Sequence, residues 1–267
     1  MAPSASPSTQ PSSSRRWVIS DVHGQYDTLV QLLSMMSPVA TDQVYFVGDL
    51  VDRGEGSRKV VQLVREEAYT TLIGNHEQMM IESFPLDGEV STYDLHAWMV
   101  NGGDITFQNY QEDLDALWDD VNWLRQQPYF LDLDDIWLVH AGVNPSFPLG
   151  EQLPQDLCWI RDPFHAIDKP FFEDKLTVIG HTITFTFPKV NPGELVRGKG
   201  WLGIDTGAYH PRSGWLTAID LNSWQVYQCN VHTQEQRIRD YGDMVRNYCP
   251  RKRVAESPIA WPFWFSA

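Results

Sequence analysis

Five short apolar runs along the chain each end on polar residues. Trp17-Val18-Ile19-Ser20 stops at Asp21-Val22-His23-Gly24, Val44-Tyr45-Phe46-Val47 at Gly48-Asp49, and Thr70-Thr71-Leu72-Ile73 at Gly74-Asn75-His76-Glu77. Ile136-Trp137-Leu138-Val139 stops at His140-Ala141-Gly142, and Leu176-Thr177-Val178-Ile179 at Gly180-His181-Thr182. Runs this short, bounded by turn residues, predict buried strands. Between the first three, Leu29, Leu32, Leu33 and Met36 recur at helical spacing with Pro38 beyond, which predicts a helix over residues 25–36. Residues 57–69 predict a second helix, and a short third one passes through Met79, Met80 and Ile81. Strand alternating with helix predicts an α/β architecture with crossover connections.

From residue 85 to 128 the alternation lapses into helical, acidic sequence carrying Trp98, Trp118 and Trp123, read as a helical insertion bordering the site. Glu112, Asp113, Asp115, Asp119 and Asp120 lack the glycine-containing loop of a calcium site and predict a solvated helix face. Trp201-Leu202-Gly203-Ile204 before Asp205-Thr206-Gly207, then residues 215–221 and 224–231, predict a meander of antiparallel strands. Three regions follow: a Ser/Pro-rich tail over 1–15 expected to be disordered, a catalytic domain over 16–235, and a C-terminal extension over 236–267. The extension mixes Arg237, Arg239, Arg246, Arg251, Lys252 and Arg253 with a Trp261-Pro262-Phe263-Trp264-Phe265 end, expected to dock on its own domain, with a partner contact as the alternative.

Bulk properties narrow the function. The chain has 267 residues, 42% hydrophobic and 21% charged, the balance of a globular protein. No apolar run spans a bilayer, which excludes a transmembrane helix. A net charge of -15 repels nucleic-acid backbones and argues against nucleic acid as a partner. Three widely spaced cysteines, Cys158, Cys229 and Cys249, do not resemble a disulfide framework, and the tail lacks the apolar core of a secretory signal. A reducing cytoplasm is the expected setting.

In open α/β sheets the carboxyl ends of strands gather on one edge, where ligands bind. The polar tips of the five runs are therefore expected to converge although their sequence spacing is irregular. Their donors are imidazole, carboxylate and one amide, with no cysteine, a set suited to Mn²⁺, Fe or Zn²⁺. Asp21 and His23 sit two apart, so in extended backbone they point the same way and can share one ion. Asn75, His140 and His181 can serve a second, with Asp49 bridging the two. Two ions about 3.5–4 Å apart would hold a hydroxide between them. Asp52-Arg53-Gly54 follows Asp49 closely; such residues also fill ordinary turns, but an arginine fork there matches a phosphate held by the ions. His96, His165, His210 and His232 end no apolar run and are read as structural.

With these motifs in this order, the chain resembles the phosphoprotein phosphatase family of metallophosphoesterases, closest to the bacterial and bacteriophage lambda type. Gln78-Met79-Met80-Ile81, Trp98-Met99-Val100-Asn101-Gly102-Gly103 and Ile204-Asp205-Thr206-Gly207-Ala208 also fit, and the likeness covers roughly residues 17–221. The resemblance implies a four-layer α/β/β/α sandwich, two divalent ions of the Mn²⁺ type, and hydrolysis of phosphomonoesters by direct attack of a metal-bridging hydroxide. It implies that Asp21, His23 and Asp49 hold one ion, and Asp49, Asn75, His140 and His181 the other. His76 would protonate the leaving oxygen, oriented by Asp52, while Arg53 and Arg161 would clamp the phosphate. An alkoxide leaving group needs a proton, which imidazole is suited to supply. Two departures stand out: Ile73 occupies a position where many relatives carry arginine, and Glu55 one where a small residue or proline is common.

The leading expectation is a protein phosphatase acting on phosphoserine and phosphothreonine, with phosphotyrosine as a further candidate substrate. A symmetrical dinucleoside tetraphosphatase shares the metal motifs. The alternative of another kind is a catalytically silent metal-binding module that recruits partners through its aromatic end.

Overall fold

The computed structural model describes residues 14–86 and 88–250. The 261–265 aromatic end, Arg251, Lys252, Arg253 and most of the Ser/Pro-rich tail lie outside the described residues. The strands are β1 (Arg16–Ile19), β2 (Gln43–Phe46), β3 (Thr70–Thr71), β4 (Phe130–Asp132), β5 (Ile136–Val139) and β6 (Leu176–Ile179). They continue as β7 (Leu195–Arg197), β8 (Trp201–Gly203), β9 (Trp215–Asp220), β10 (Gln225–Asn230), β11 (Gln236–Asp240) and β12 (Val245–Asn247). The helices are α1 (Tyr26–Met36), α2 (Ser57–Glu66), α3 (Asn75–Ser83), α4 (Thr92–Trp98), α5 (Asp104–Gln108), α6 (Leu114–Leu124), α7 (Pro154–Trp159), α8 (Asp162–His165) and α9 (Tyr241–Met244).

Two six-stranded mixed sheets form, ordered β11-β10-β9-β1-β2-β3 and β12-β7-β8-β6-β5-β4. The two-residue period of a strand sends alternate side chains to opposite faces, and the layers follow from it. Trp17, Ile19 and Phe46 pack with Leu29, Leu32, Val60 and Val64 of α1 and α2 on one outer face. Val18, Tyr45, Val47 and Ile219 of the first sheet meet Ile136, Leu138, Val178 and Leu202 of the second between the sheets. Trp137, Val139, Ile179 and Trp201 face Leu157 and Phe164 of α7 and α8 on the far side. The result is the four-layer α/β/β/α sandwich.

Two expectations change. The Trp201 run does not join the meander: β8 lies parallel to β6 in the second sheet, and the antiparallel meander is β9-β10-β11 alone. Both sheets demand similar apolar runs, so composition could not assign it. Asp120 is not on a solvated face; it is 2% exposed, paired with Arg65 and accepting a hydrogen bond from the buried Tyr110 hydroxyl at 2.8 Å. Asp113 has a local task, capping α6 by accepting from Ala116 N at 3.1 Å. Residues 236–247 add an edge strand to each sheet, β11 beside β10 and β12 beside β7.

Candidate metal centre and phosphate pocket

The loops after β1, β2, β3, β5 and β6 meet at one edge and are stitched by their own backbones. Val22 N and His23 N both donate to Asp49 O at 2.9 Å, and Gly180 N donates to His140 O at 2.9 Å. Asp49, Asp52, Arg53, His23 and His181 all adopt positive φ, from 47° to 72°. Such conformations each cost on the order of 1–3 kcal/mol and persist where surroundings impose them. Glu77 does much of the imposing. Its fully buried carboxylate accepts from Asp49 N and Leu50 N at 2.7 Å, from Gly74 N at 2.9 Å and from Val51 N at 3.3 Å. No chemical role for Glu77 was read from the sequence, yet its place three residues into α3 after Gly74 is a capping-box signal.

Asp49 is the hub. Its Oδ1 lies 3.4 Å from His140 Nε2, its Oδ2 lies 3.5 Å from His23 Nε2, and His76 Nε2 is 4.0 Å from Oδ2. His140 gives Nδ1–H to Val47 O at 2.8 Å and His23 gives Nδ1–H to Val51 O at 3.0 Å. In the neutral rings, Nε2 of each is therefore a lone pair facing a carboxylate oxygen. Asn75 Oδ1 reaches both His140 Nε2, at 3.0 Å, and His181 Nδ1, at 2.8 Å. Two sets of ligand atoms fall within 4.8 Å of one another: His23, Asp49 and His76, and Asp49, His140 and His181.

Asp21 stands just behind, with Oδ2 accepting from His181 N at 2.9 Å. Asp21 falls outside both groups at that distance. Asp21 Oδ1 and His181 Nε2 are nonetheless buried with no hydrogen-bond partner. Burial, Asp205 and Asp49 push the Asp21 carboxyl well above its ordinary value. Burial pushes Asp205 up as well, to about 7, against a hydrogen bond from Gly207 N. At Asp49 burial acts upward too, but the four imidazoles of His140, His76, His23 and His181 outweigh it and hold the carboxyl low. Orphaned acceptors, facing lone pairs and three buried carboxylates fit divalent cations, which supply the missing positive charge.

Beside this cluster is a cavity of about 150 Å³, lined by Asp49, Arg53, Asn75, His76, Arg161 and His181, with Thr182, Ile183, Thr186 and Tyr209 at its edge. Arg161 Nη1 donates to Thr182 Oγ1 at 2.8 Å. Arg53 lies 4.1 Å over the Tyr209 ring and donates to His23 Nε2 at 2.9 Å. His76 Nδ1 lies 2.7 Å from Asp52 Oδ2. All ten residues singled out from sequence thus reach one region. Tyr209, Asp205, Trp98 and Thr106 were not assigned roles. Asp205 does close the Trp201 run, a signal of the same kind as the five, whereas Tyr209, Trp98 and Thr106 lie outside such tips and only the fold brings them in. His165 and His210 lie in aromatic packing, His165 against Trp201 and Phe187 and His210 against Phe185.

Residues 14–209 match the family model for the calcineurin-like phosphoesterases. The chain belongs to that family. It is a metallophosphoesterase, a hydrolase of a family that uses divalent metals. It is 28% identical over 209 residues to "Serine/threonine-protein phosphatase 2" of Escherichia coli (strain K12), covering 75% of this chain and 90% of that one. It is 29% identical over 168 residues to "Bis(5'-nucleosyl)-tetraphosphatase, symmetrical" of Klebsiella pneumoniae (strain 342), covering 60% of this chain and 54% of that one. Among solved structures, a putative diadenosine tetraphosphatase superposes with a TM-score of 0.57 at 19% identity, covering 83% of this chain and 96% of that one. At that identity the likeness establishes the fold.

Proposed function

We propose that this metallophosphoesterase is a protein phosphatase, removing phosphate from phosphoserine and phosphothreonine, and from phosphotyrosine and small aryl phosphates, with Mn²⁺ as its metal and Fe or Zn²⁺ as substitutes. The carrying observation is the cavity itself: it joins Arg53, Arg161 and His76 to the Asp49 cluster in a space of about 150 Å³. Two guanidinium groups and an imidazole lining one space suit a phosphoryl group, whose oxygens an arginine fork matches.

Asp21, His23 and Asp49 would hold one ion, and Asp49, Asn75, His140 and His181 the other. The ions would supply Lewis-acid charge and a water of lowered pKa. His23 Nε2 would be one of the ligands, and Arg53, which donates to that nitrogen here, already lines the cavity. Arg53 and Arg161 would then orient the phosphoryl oxygens as charge-assisted forks. His76, tied through Nδ1 to Asp52, would present Nε2 to the leaving oxygen and give it a proton as the ester bond breaks.

The test is a panel of a phosphoserine peptide, a phosphotyrosine peptide, p-nitrophenyl phosphate and diadenosine tetraphosphate, with Mn²⁺ and with chelator. Faster turnover of the dinucleotide than of any peptide would favour the tetraphosphatase reading, which the relatives of that name support. No turnover of any substrate, unchanged by His76→Asn, would favour the silent module. We propose a reducing cytoplasm as its setting.

A further inference from the structure

The helical insertion does more than border the cavity. Asp52 is fully buried, and besides His76 two side chains of the insertion hold its carboxylate. Trp98 Nε1 donates to both oxygens at 3.0 Å, and Thr106 Oγ1 donates to Oδ1 at 2.8 Å. Thr106 Oγ1 also accepts from Asp52 N at 2.9 Å, so one hydroxyl grips both ends of the residue. Asp52 and Arg53 both have φ near +70°, at 72° and 71°. The π-turn Met99–Gly103 locks that backbone: Arg53 N donates to Gly102 O at 3.1 Å. A Cβ on Gly102, at φ +105°, would come within 2.8 Å of Arg53 Cγ, and one on Gly103 within 2.5 Å of the Trp98 ring.

We propose that Trp98 and Thr106 are positioning residues for hydrolysis, fixing the Asp52 carboxylate against His76 Nδ1 so that Nε2 is aimed at the leaving oxygen. The proposal rests on the phosphomonoesterase reading. In the step concerned, a water oxygen bonds to phosphorus, and the ester P–O bond breaks with its electron pair on the leaving oxygen. That oxygen takes the proton from Nε2, the proton shed by the attacking water passes to solvent, and the ring is reprotonated from solvent, so that in sum ester and water become alcohol and phosphate. A carboxylate free to rotate would leave the ring without a fixed aim, and poor leaving groups would suffer most.

The experiment uses the full chain loaded with Mn²⁺ and the variants Trp98→Phe, Thr106→Val and Thr106→Ser, with kcat and KM measured on a phosphoserine peptide and on p-nitrophenyl phosphate. Trp98→Phe and Thr106→Val should lower kcat on the peptide roughly tenfold more than on the nitrophenyl ester, with KM changed less than about twofold. Thr106→Ser should restore most of the loss. In a His76→Asn background neither change should cost anything further, because both act through that ring. Equal losses on both substrates, or undiminished losses without His76, would overturn the proposal. If Trp98→Phe does not fold, the Thr106 pair decides by the same comparison. If the parent hydrolyses neither substrate, the functional reading falls by itself, and the clamp is read by proton NMR of the His76 Nδ1–H. That resonance should move or broaden in Thr106→Val and return in Thr106→Ser; an unmoved signal refutes the clamp.

Discussion

Nε2 of His140 and Oδ1 of Asp49 lie 3.4 Å apart, both buried and both acceptors. The His140 Nδ1 proton is already given to Val47 O, so no hydrogen of the neutral ring can sit between them. With the ring neutral, neither atom gains from the other unless a cation joins them. Asp49→Asn removes the charge that makes such a cation worthwhile, on both sides of the hub. Metal content by elemental analysis should fall together with activity. Lewis-acid stabilisation of several kcal/mol corresponds to a loss on the order of 10³-fold. Full metal content in an inactive Asp49→Asn protein would contradict the shared role.

His76 calls for a different signature. Its Nδ1 is committed to Asp52, so His76→Asn should spare metal binding and slow turnover by on the order of 10²–10⁴ on alkyl phosphates. On p-nitrophenyl phosphate, whose leaving group needs little protonation, the loss should be much smaller. Equal losses on the two esters would exclude proton donation from this ring.

Tyr209 supports Arg53 from outside the motifs. The guanidinium stacks 4.1 Å over the ring, whose edge also meets His23 with centroids 4.8 Å apart. A cation–π contact of about 1 kcal/mol corresponds to roughly fivefold in binding. Tyr209→Leu should therefore raise KM about that much while leaving metal content unchanged. A change in metal content with unaltered KM would assign Tyr209 to His23 instead of Arg53.

His165 should shape the acid limb of stability. Burial, helped by the Arg161 charge, depresses its pKa from 6.5 to about 4, and its Nε2 has no hydrogen-bond partner. The folded state thus prefers the neutral ring, while the unfolded chain takes up a proton near 6.5. This contribution is complete above that value and is lost as pH falls towards 4, amounting to roughly 3 kcal/mol. Urea unfolding at pH 7 and pH 4 should show that much less acid sensitivity in His165→Leu than in the parent. Identical acid sensitivity would show that the ring is protonated in the folded protein.

Much of the candidate site was legible because polar tips at strand ends are local facts. An apolar run, a turn and a polar tip are written in consecutive residues, and α/β topology carries such tips to one edge. That alone brings Asp21, His23, Asp49, Asn75, His140 and His181 to one edge. The supports were not legible in the same way. Glu77 earns its place through backbone N–H groups 26 to 28 residues away, and Trp98 and Thr106 through a carboxylate 46 and 54 residues away. Asp120 reads as one more surface acid until α6 turns it onto Arg65 and Tyr110.

By itself the sequence determined the strands β1, β2, β3, β5 and β6, the helices α1 to α3 that follow the first three of them, the polar residues that close those strands, and a donor set that suits hard or borderline cations. Those properties depend on side-chain period and chemistry within a few residues. Only the tertiary structure decided that Trp201 begins a strand of the second sheet, that residues 236–247 complete both sheets, and that the insertion grips Asp52. Pairing partners and buried hydrogen bonds between distant segments arise from the three-dimensional packing of the layers, and no local pattern of residues encodes them.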